Sequence, residues 1–157
     1  MIVYRLHSSK YPPNDGQGAY LAGGRWNSPG RRAIYTANSR ALAVLEILVN
    51  FTLLPRDYVM TPVEIPEEVT IRHLRPSFLV SASVPSYSPE GHLPPGQMDI
   101  KSSRALGDNL LTRFAVLRVP SVVVPEEYNY VINPEHPDFR FIKFLEPVQF
   151  QFDMRLK

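Results

Sequence analysis

The chain has 157 residues, with 17 Lys and Arg against 15 Asp and Glu for a formal net charge of +2, 44% hydrophobic residues, 16 Pro, one Trp and no Cys. That length supports one domain over 1–157, able to bury roughly 68–70% of its extended-state surface without covalent staples. The composition excludes a disulfide framework, a thiolate nucleophile and a sulfur-ligated zinc, and it offers neither the roughly 18 apolar residues of a membrane span nor the dense basic stripe of a dedicated nucleic-acid binder.

Taken in chain order, Ile2 to His7 alternates like a strand. Residues 8 to 24 read as loop, punctuated by Pro12, Pro13, Gly16, Gly18, Gly23 and Gly24. Arg32 to Thr36 reads as a short strand after the Ser28-Pro29-Gly30 turn. Asn38 or Ser39 then caps a helix over Ala41 to Val49, whose sequence ALAVLEILV is apolar on nearly every side and predicts burial on more than one face. Tyr58 to Ile65 reads as a strand ended by Pro66. The proline-rich stretch 75 to 100 reads as a long surface excursion that could act as a lid. Ser103 to Arg113 predicts a helix with Gly107 as its weak point. Ala115 to Val119 and Ser121 to Val124 read as strands broken by Pro120. Asn129 to Ile132, Arg140 to Leu145 and Val148 to Phe152 complete the strands. The sum is a β-rich α+β chain with two or three helices and no linker.

Five constellations could carry chemistry. In Gly23-Gly24-Arg25-Trp26-Asn27, paired glycines admit a ligand close to the backbone, and Arg25 offers a forked donor suited to phosphate. From Gly16 to Leu45 there is no Asp or Glu, whereas Arg25, Arg31, Arg32 and Arg40 all fall there. The alternative is a glycine turn with solvated arginines. Neither a P-loop nor a dinucleotide fingerprint is complete. Glu46 is the only charge between Arg40 and Arg56; it lies either on a narrow solvated stripe or in a cleft that uses its charge. Tyr35, in AIYTA, could stack on a flat heterocycle or simply fill core. Ser121, after Pro120, could donate into a pocket or satisfy its own strand end. The stretch Asn129 to Pro137 (NYVINPEHP) is turn-rich and suits structural support. The four His make no HExxH pair, so no metal is expected.

In order, GGRWNSPGRRAIYTANSRALAVLE, VPSVVVPEEYNYVINPEHPDF and a closing FQFDMRL resemble the RES domain family, across Tyr4 to Leu156. The middle of the chain departs from that family, whose members carry Trp after Leu-Pro and after Gly-Asp. Here those places read Leu93-Pro94-Pro95-Gly96-Gln97-Met98 and Gly107-Asp108-Asn109.

The resemblance implies an ADP-ribosyltransferase-like fold, with two small β-sheets and flanking helices around an NAD-binding cleft. It implies a toxin that depletes NAD⁺ by glycohydrolysis or phosphorolysis, or one that transfers ADP-ribose to a protein. It further implies an Xre-type helix-turn-helix antitoxin as partner, a homodimer within that complex, and a cytoplasmic location; the opening MIVYRLHSSKYPP has no secretory pattern. Carried over by motif, the site residues are Arg25, Tyr35, Glu46 and Ser121. Arg5 and Asn27 match further family positions expected to line the cleft. Arg25 would clamp the pyrophosphate, Tyr35 would wall the nicotinamide, Glu46 would face the ribose, and Ser121 would bond the nicotinamide side or the ribose. A rival of another class is a non-catalytic module holding a nucleotide or nucleic acid with the Arg25–Arg40 segment.

Overall fold

A computed structural model describes residues 1–75 and 99–156. In chain order the elements are β1 (Ile2–Ser8), α1 (Gln17–Ala22), β2 (Ile34–Ala37), α2 (Arg40–Leu48), β3 (Tyr58–Glu64), β4 (Ile71–His73), α3 (Ile100–Leu111), β5 (Val116–Pro120), β6 (Tyr128–Ile132), β7 (Lys143–Phe144) and β8 (Val148–Phe150). Short 3₁₀ turns lie at Pro137–Phe141 and Met154–Leu156. The lid expected within 75–100 lies, for residues 76–98, outside the described residues.

The α+β class with flanking helices is as expected, but the strands are continuous rather than two separate sheets. Their order is β4-β5-β6-β2-β1-β3-β7, with β8 also paired to β3. All pairs are antiparallel except β4–β5. The two halves nevertheless meet weakly. β1 joins β3 over seven registered pairs, from Ile2–Glu64 to Ser8–Tyr58, whereas it joins β2 at the single pair Tyr4–Ala37. The sheet is thus nearly split at the β1–β2 seam, and the cleft described below opens over that seam.

Strand alternation sorts the side chains onto two faces. On one face Val3, Ile34, Val63, Val116 and Ile132 form a core closed by Ile65, Val69 and Ile142. On the other face the two halves carry separate clusters. α2 packs Leu42, Ala43 and Leu48 against Leu6, Ala37 and Met60. α3 packs Leu110 and Leu111 against Leu117, Val119 and Val131, with Trp26 between. Each large aliphatic side chain buried in these clusters contributes about 1.5–3 kcal/mol. Two helices on one face, each fixed to its own half-sheet, leave a trough between them.

Local chemistry sets the helix starts. Ser39 Oγ accepts from the Leu42 N–H at 3.1 Å and caps α2. Asp99 caps α3, accepting from Lys101 N and Ser102 N at 2.9 and 3.0 Å. This cap starts α3 three residues before the expected Ser103. The short α1, read as loop, follows Gly16 in the left-handed region at φ 63°. As expected, α2 is buried on more than one face, with Leu42, Ala43 and Leu48 buried and Val44 and Ile47 partly so, which leaves a stripe at Leu45, 39% exposed. Ser121 to Val124 is a turn rather than a strand, because the Ser121 hydroxyl accepts from both Val123 N and Val124 N at 3.0 Å. Of the expected strand 140–145 only the two residues of β7 pair, since Pro137–Phe141 winds as a 3₁₀ turn capped by His136.

On the face away from the trough, His7 Nε2 lies 2.8 Å from Thr61 Oγ1, and its Nδ1 2.9 Å from the Ser8 carbonyl. Burial pulls its pKa below the ordinary 6.5, and the Arg5 charge acts in the same direction. Below that value the unfolded chain takes up a proton that the folded state resists, so stability falls on acidification. His7→Gln is therefore expected to flatten the fall in melting temperature as the pH drops below 6.5. A pH scan of thermal melting checks this.

Candidate active site

The trough holds a cavity of about 650 Å³, within the ~300–1,000 Å³ of small-molecule sites. Its walls come from every element around the seam. β1 gives Tyr4 and Leu6; β2 gives Tyr35 and Ala37; α2 gives Ala43, Glu46 and Ile47; α3 gives Arg104; β6 gives Asn129; and the glycine loop gives Gly23, Gly24 and Arg25. Arg25 and Glu46, 21 positions apart in sequence, therefore share one hollow.

Glu46 is half-buried on α2, and its orientation is fixed by two donors that converge on one oxygen. Ser121 Oγ donates to Oε1 at 2.7 Å, and Asn129 Nδ2 donates to the same Oε1. The other carboxylate oxygen, Oε2, receives no hydrogen bond among the described residues. A carboxylate has about four lone-pair sites, so among the described residues Oε2 is left as an acceptor on a side chain that lines the cavity. Of the two readings of Glu46, the cleft is the one observed.

Ser121 is 2% exposed. Its one O–H goes to Glu46, and its two lone pairs take Val123 N and Val124 N. A hydroxyl has no further capacity. The expectation that Ser121 bonds the ligand gives way to a positioning role: it locks the 121–127 turn and aims Glu46. Ser121→Ala removes one donor from Glu46 and leaves two backbone N–H groups without their acceptor. The expected result is a loss of about 1–3 kcal/mol in urea unfolding, and a fall in turnover that restoring the hydroxyl as Thr partly reverses.

Tyr35 presents its ring to the cavity while its hydroxyl points away. Tyr35 Oη donates to Asn27 Oδ1 at 2.7 Å and accepts from Trp26 N at 3.0 Å. Burial drives its pKa well above the ordinary tyrosine value, so the phenol stays neutral and serves as a wall rather than an acid. Asn27 is fully buried behind it. Its Nδ2 donates to the carbonyls of Ala19, Ser28 and Arg31. Asn27 ties the glycine loop together and does not line the cavity. Gly24 leaves the room that the Tyr35 phenol fills, because a Cβ there would overlap the ring.

Arg5 also lies outside the cleft. On β1 it alternates with Tyr4 and Leu6, which do line it, and so points to the opposite face. Burial lowers its pKa to about 10, with Asp15 acting the other way. The family position is therefore occupied, but its side chain serves the far side of the sheet.

Three lining residues went unread in the sequence. Asn129 lies in the stretch Asn129 to Pro137, which reads as structural support. That reading holds for Asn133, which bonds the Leu111 carbonyl at 2.8 Å, and for His136. Tyr4 lies on the cavity wall with the Arg40 guanidinium 5.2 Å from its ring centre. Arg104, on α3, donates through Nε to the Gly24 carbonyl at 2.8 Å. The one available signal for Tyr4 was its two-residue spacing from Leu6. Nothing local marks Arg104.

Among the described residues no helix is long and apolar enough to cross a membrane, and no group of three His, Asp or Glu is placed to hold a metal ion.

Comparison with known proteins places this geometry. The RES domain model matches residues 2–153. A protein of Sphingobium sp. (strain YBL2) named Prs ADP-ribosylating toxin is 39% identical, over 90% of this chain and 84% of its own. A Toxin Res of Photorhabdus laumondii is 38% identical over 99% of this chain and 97% of its own, and one of Yersinia enterocolitica is 34% identical over the whole of both. A chain in the crystal structure of the M. tuberculosis MbcT–MbcA toxin–antitoxin complex superposes with a TM-score of 0.68 at 18% identity, covering 94% of this chain and 82% of that one. This last likeness is one of fold. With a carboxylate and a guanidinium facing one hollow, and a family model running over nearly the entire sequence, the chain belongs to the RES domain family.

Proposed function

We propose that this chain is a toxin that degrades NAD⁺ by breaking the bond between nicotinamide and ribose, with water or phosphate as acceptor. The observation that carries the reading is Glu46, with Oε1 held by Ser121 and Asn129 and Oε2 open to a cavity it shares with Arg25. NAD⁺ has an anionic diphosphate, a ribose and a cationic nicotinamide ring, and the cavity offers cation, carboxylate and aromatic wall for them.

In this reading the C1′–N1 bond breaks with its electron pair going to nicotinamide, which leaves neutral. Positive charge grows on the ribose ring, an oxocarbenium-like state. Glu46 stabilises that charge through Oε2 and orients the ribose hydroxyls. Arg25 holds the diphosphate by charge-assisted hydrogen bonds. Tyr35 walls the nicotinamide. The acceptor then bonds to C1′; water loses its proton on doing so, and phosphate gives the 1-phosphate ester.

The relative named as an ADP-ribosylating toxin favours a second reading, in which the same cation is captured by a protein side chain. Incubation with labelled NAD⁺ and lysate separates the two. Free ADP-ribose, or its 1-phosphate where the rate depends on phosphate, is the expected product. A discrete labelled protein band would move the assignment to transfer. Loss of no NAD⁺ together with steeply salt-dependent RNA or DNA binding would support the non-catalytic module instead.

The proposed partner is an Xre-type antitoxin, with this chain a homodimer in the complex. A neutralising partner has to block the cleft, whose mouth exposes Val49, Ile100 and Val122. Cytoplasmic action follows from the substrate.

A further inference from the structure

We infer that Arg104 is a second anion-binding residue of the cleft, taking the diphosphate of the dinucleotide from α3 while Arg25 takes it from the glycine loop. The inference rests on the NAD⁺ reading above and assigns within it a residue that no motif marks.

Arg104 lines the same cavity as Arg25 and Glu46, on the wall opposite α2. Its Nε donates to the Gly24 carbonyl at 2.8 Å, and its Nη2 stands 3.0 Å from where a Cβ on Gly23 would sit. The guanidinium is thus pinned through one nitrogen against a loop where Gly23 makes way for it. A fork held by Nε keeps its two Nη groups for a ligand, and a forked pair of donors suits phosphate oxygens.

Among the described residues no carboxylate lies within 4.0 Å of Arg104. Its helical neighbour one turn on, Asp108, would be the natural i,i+4 partner, but that carboxylate accepts from Ser28 N at 3.1 Å and faces Arg31 at 3.8 Å. Arg104 and Arg25 both line the cavity beside the glycine loop, and Glu46 is the only acid on the cavity wall among the described residues. Such an arrangement is favourable when an anion sits between the cations. The charges of Arg104, Asp108 and Arg25 all act on the Tyr35 hydroxyl, and both arginines line the cavity with the Tyr35 ring. Along the cavity the cations stand at the glycine-loop end and the carboxylate on α2. That order matches a molecule with an anionic diphosphate at its centre and a ribosyl cation forming to one side.

The test is calorimetric titration of wild type, R104Q and R104K with ADP-ribose, which carries the diphosphate, and adenosine, which lacks it. Neither ligand has a nicotinamide bond to break. R104Q is expected to weaken ADP-ribose about tenfold or more and adenosine by less than about twofold. R104K keeps the charge without the fork and is expected to show a smaller loss with the same ligand preference, which keeps the test usable if R104Q does not fold. R113Q removes an exposed charge at the end of the same helix region and is expected to change neither affinity. Unchanged ADP-ribose affinity in R104Q, or an equal loss for both ligands, would overturn the assignment and leave the NAD⁺ reading standing. Wild-type protein that binds neither ligand would overturn both.

Discussion

Glu46→Gln is expected to lower NAD⁺ turnover by ~10²–10³-fold while leaving the melting temperature within a few degrees of wild type. The fold should survive because a Gln carbonyl oxygen can accept from Ser121 and Asn129 as Oε1 does. What disappears is the carboxylate's negative charge on the cavity wall. A neutral amide in its place cannot balance a ribosyl cation in a partly desolvated site, where each charge counts for more than in water. Nicotinamide release and thermal melting on the same preparation separate chemistry from folding. Near-normal turnover in a well-folded variant would remove Glu46 from the mechanism.

A large loss of stability is also expected from Gly107→Ala. In an exposed helix this change is favourable by ~0.8–1 kcal/mol. Here it is not, because a Cβ at 107 would overlap the Trp26 carbonyl and Cα. Those are backbone atoms and cannot rotate away. Overpacking of this kind costs about 1–3 kcal/mol and occasionally more, so a net loss of about 2 kcal/mol is expected. α3 must also lift from the glycine loop, carrying Arg104 with it, so substrate affinity should fall as well. Gly18→Ala is the matched control. It sits in α1 with nothing within 4 Å of its would-be Cβ, and no loss of stability is expected. Urea unfolding of both variants checks the contrast.

Gly107 also shows where sequence reasoning stops. Read alone it is a weak point in a helix, and Gly107-Asp108-Asn109 departs from the family. In the fold, Gly107 admits the Trp26 backbone, and Asp108 accepts from Ser28 N. Both act on the GGRWN loop, 80 residues away in sequence, and no local pattern encodes such a contact. The legible parts were those fixed by short-range chemistry. The Ser39 cap, the α2 helix and the alternation of β1 are all set within a few residues. Arg25, Tyr35 and Glu46 could be placed in one site because the family motif carried what spacing could not. Ser121 was legible as a site residue but not in its role, since β-branched Val122 to Val124 read as strand. The hydroxyl that bends this segment into a turn is the same group that reaches Glu46. Arg5 shows the converse, for a motif match gives the position while the two-residue period of β1 decides the face.

The most direct measurement is a crystal structure of E46Q with NAD⁺ bound. The account predicts the nicotinamide ribose against residue 46, the nicotinamide along the Tyr35 ring and the diphosphate at Arg25. NAD⁺ seated anywhere other than between the glycine loop and α2, or an empty cleft at saturating NAD⁺, would contradict it.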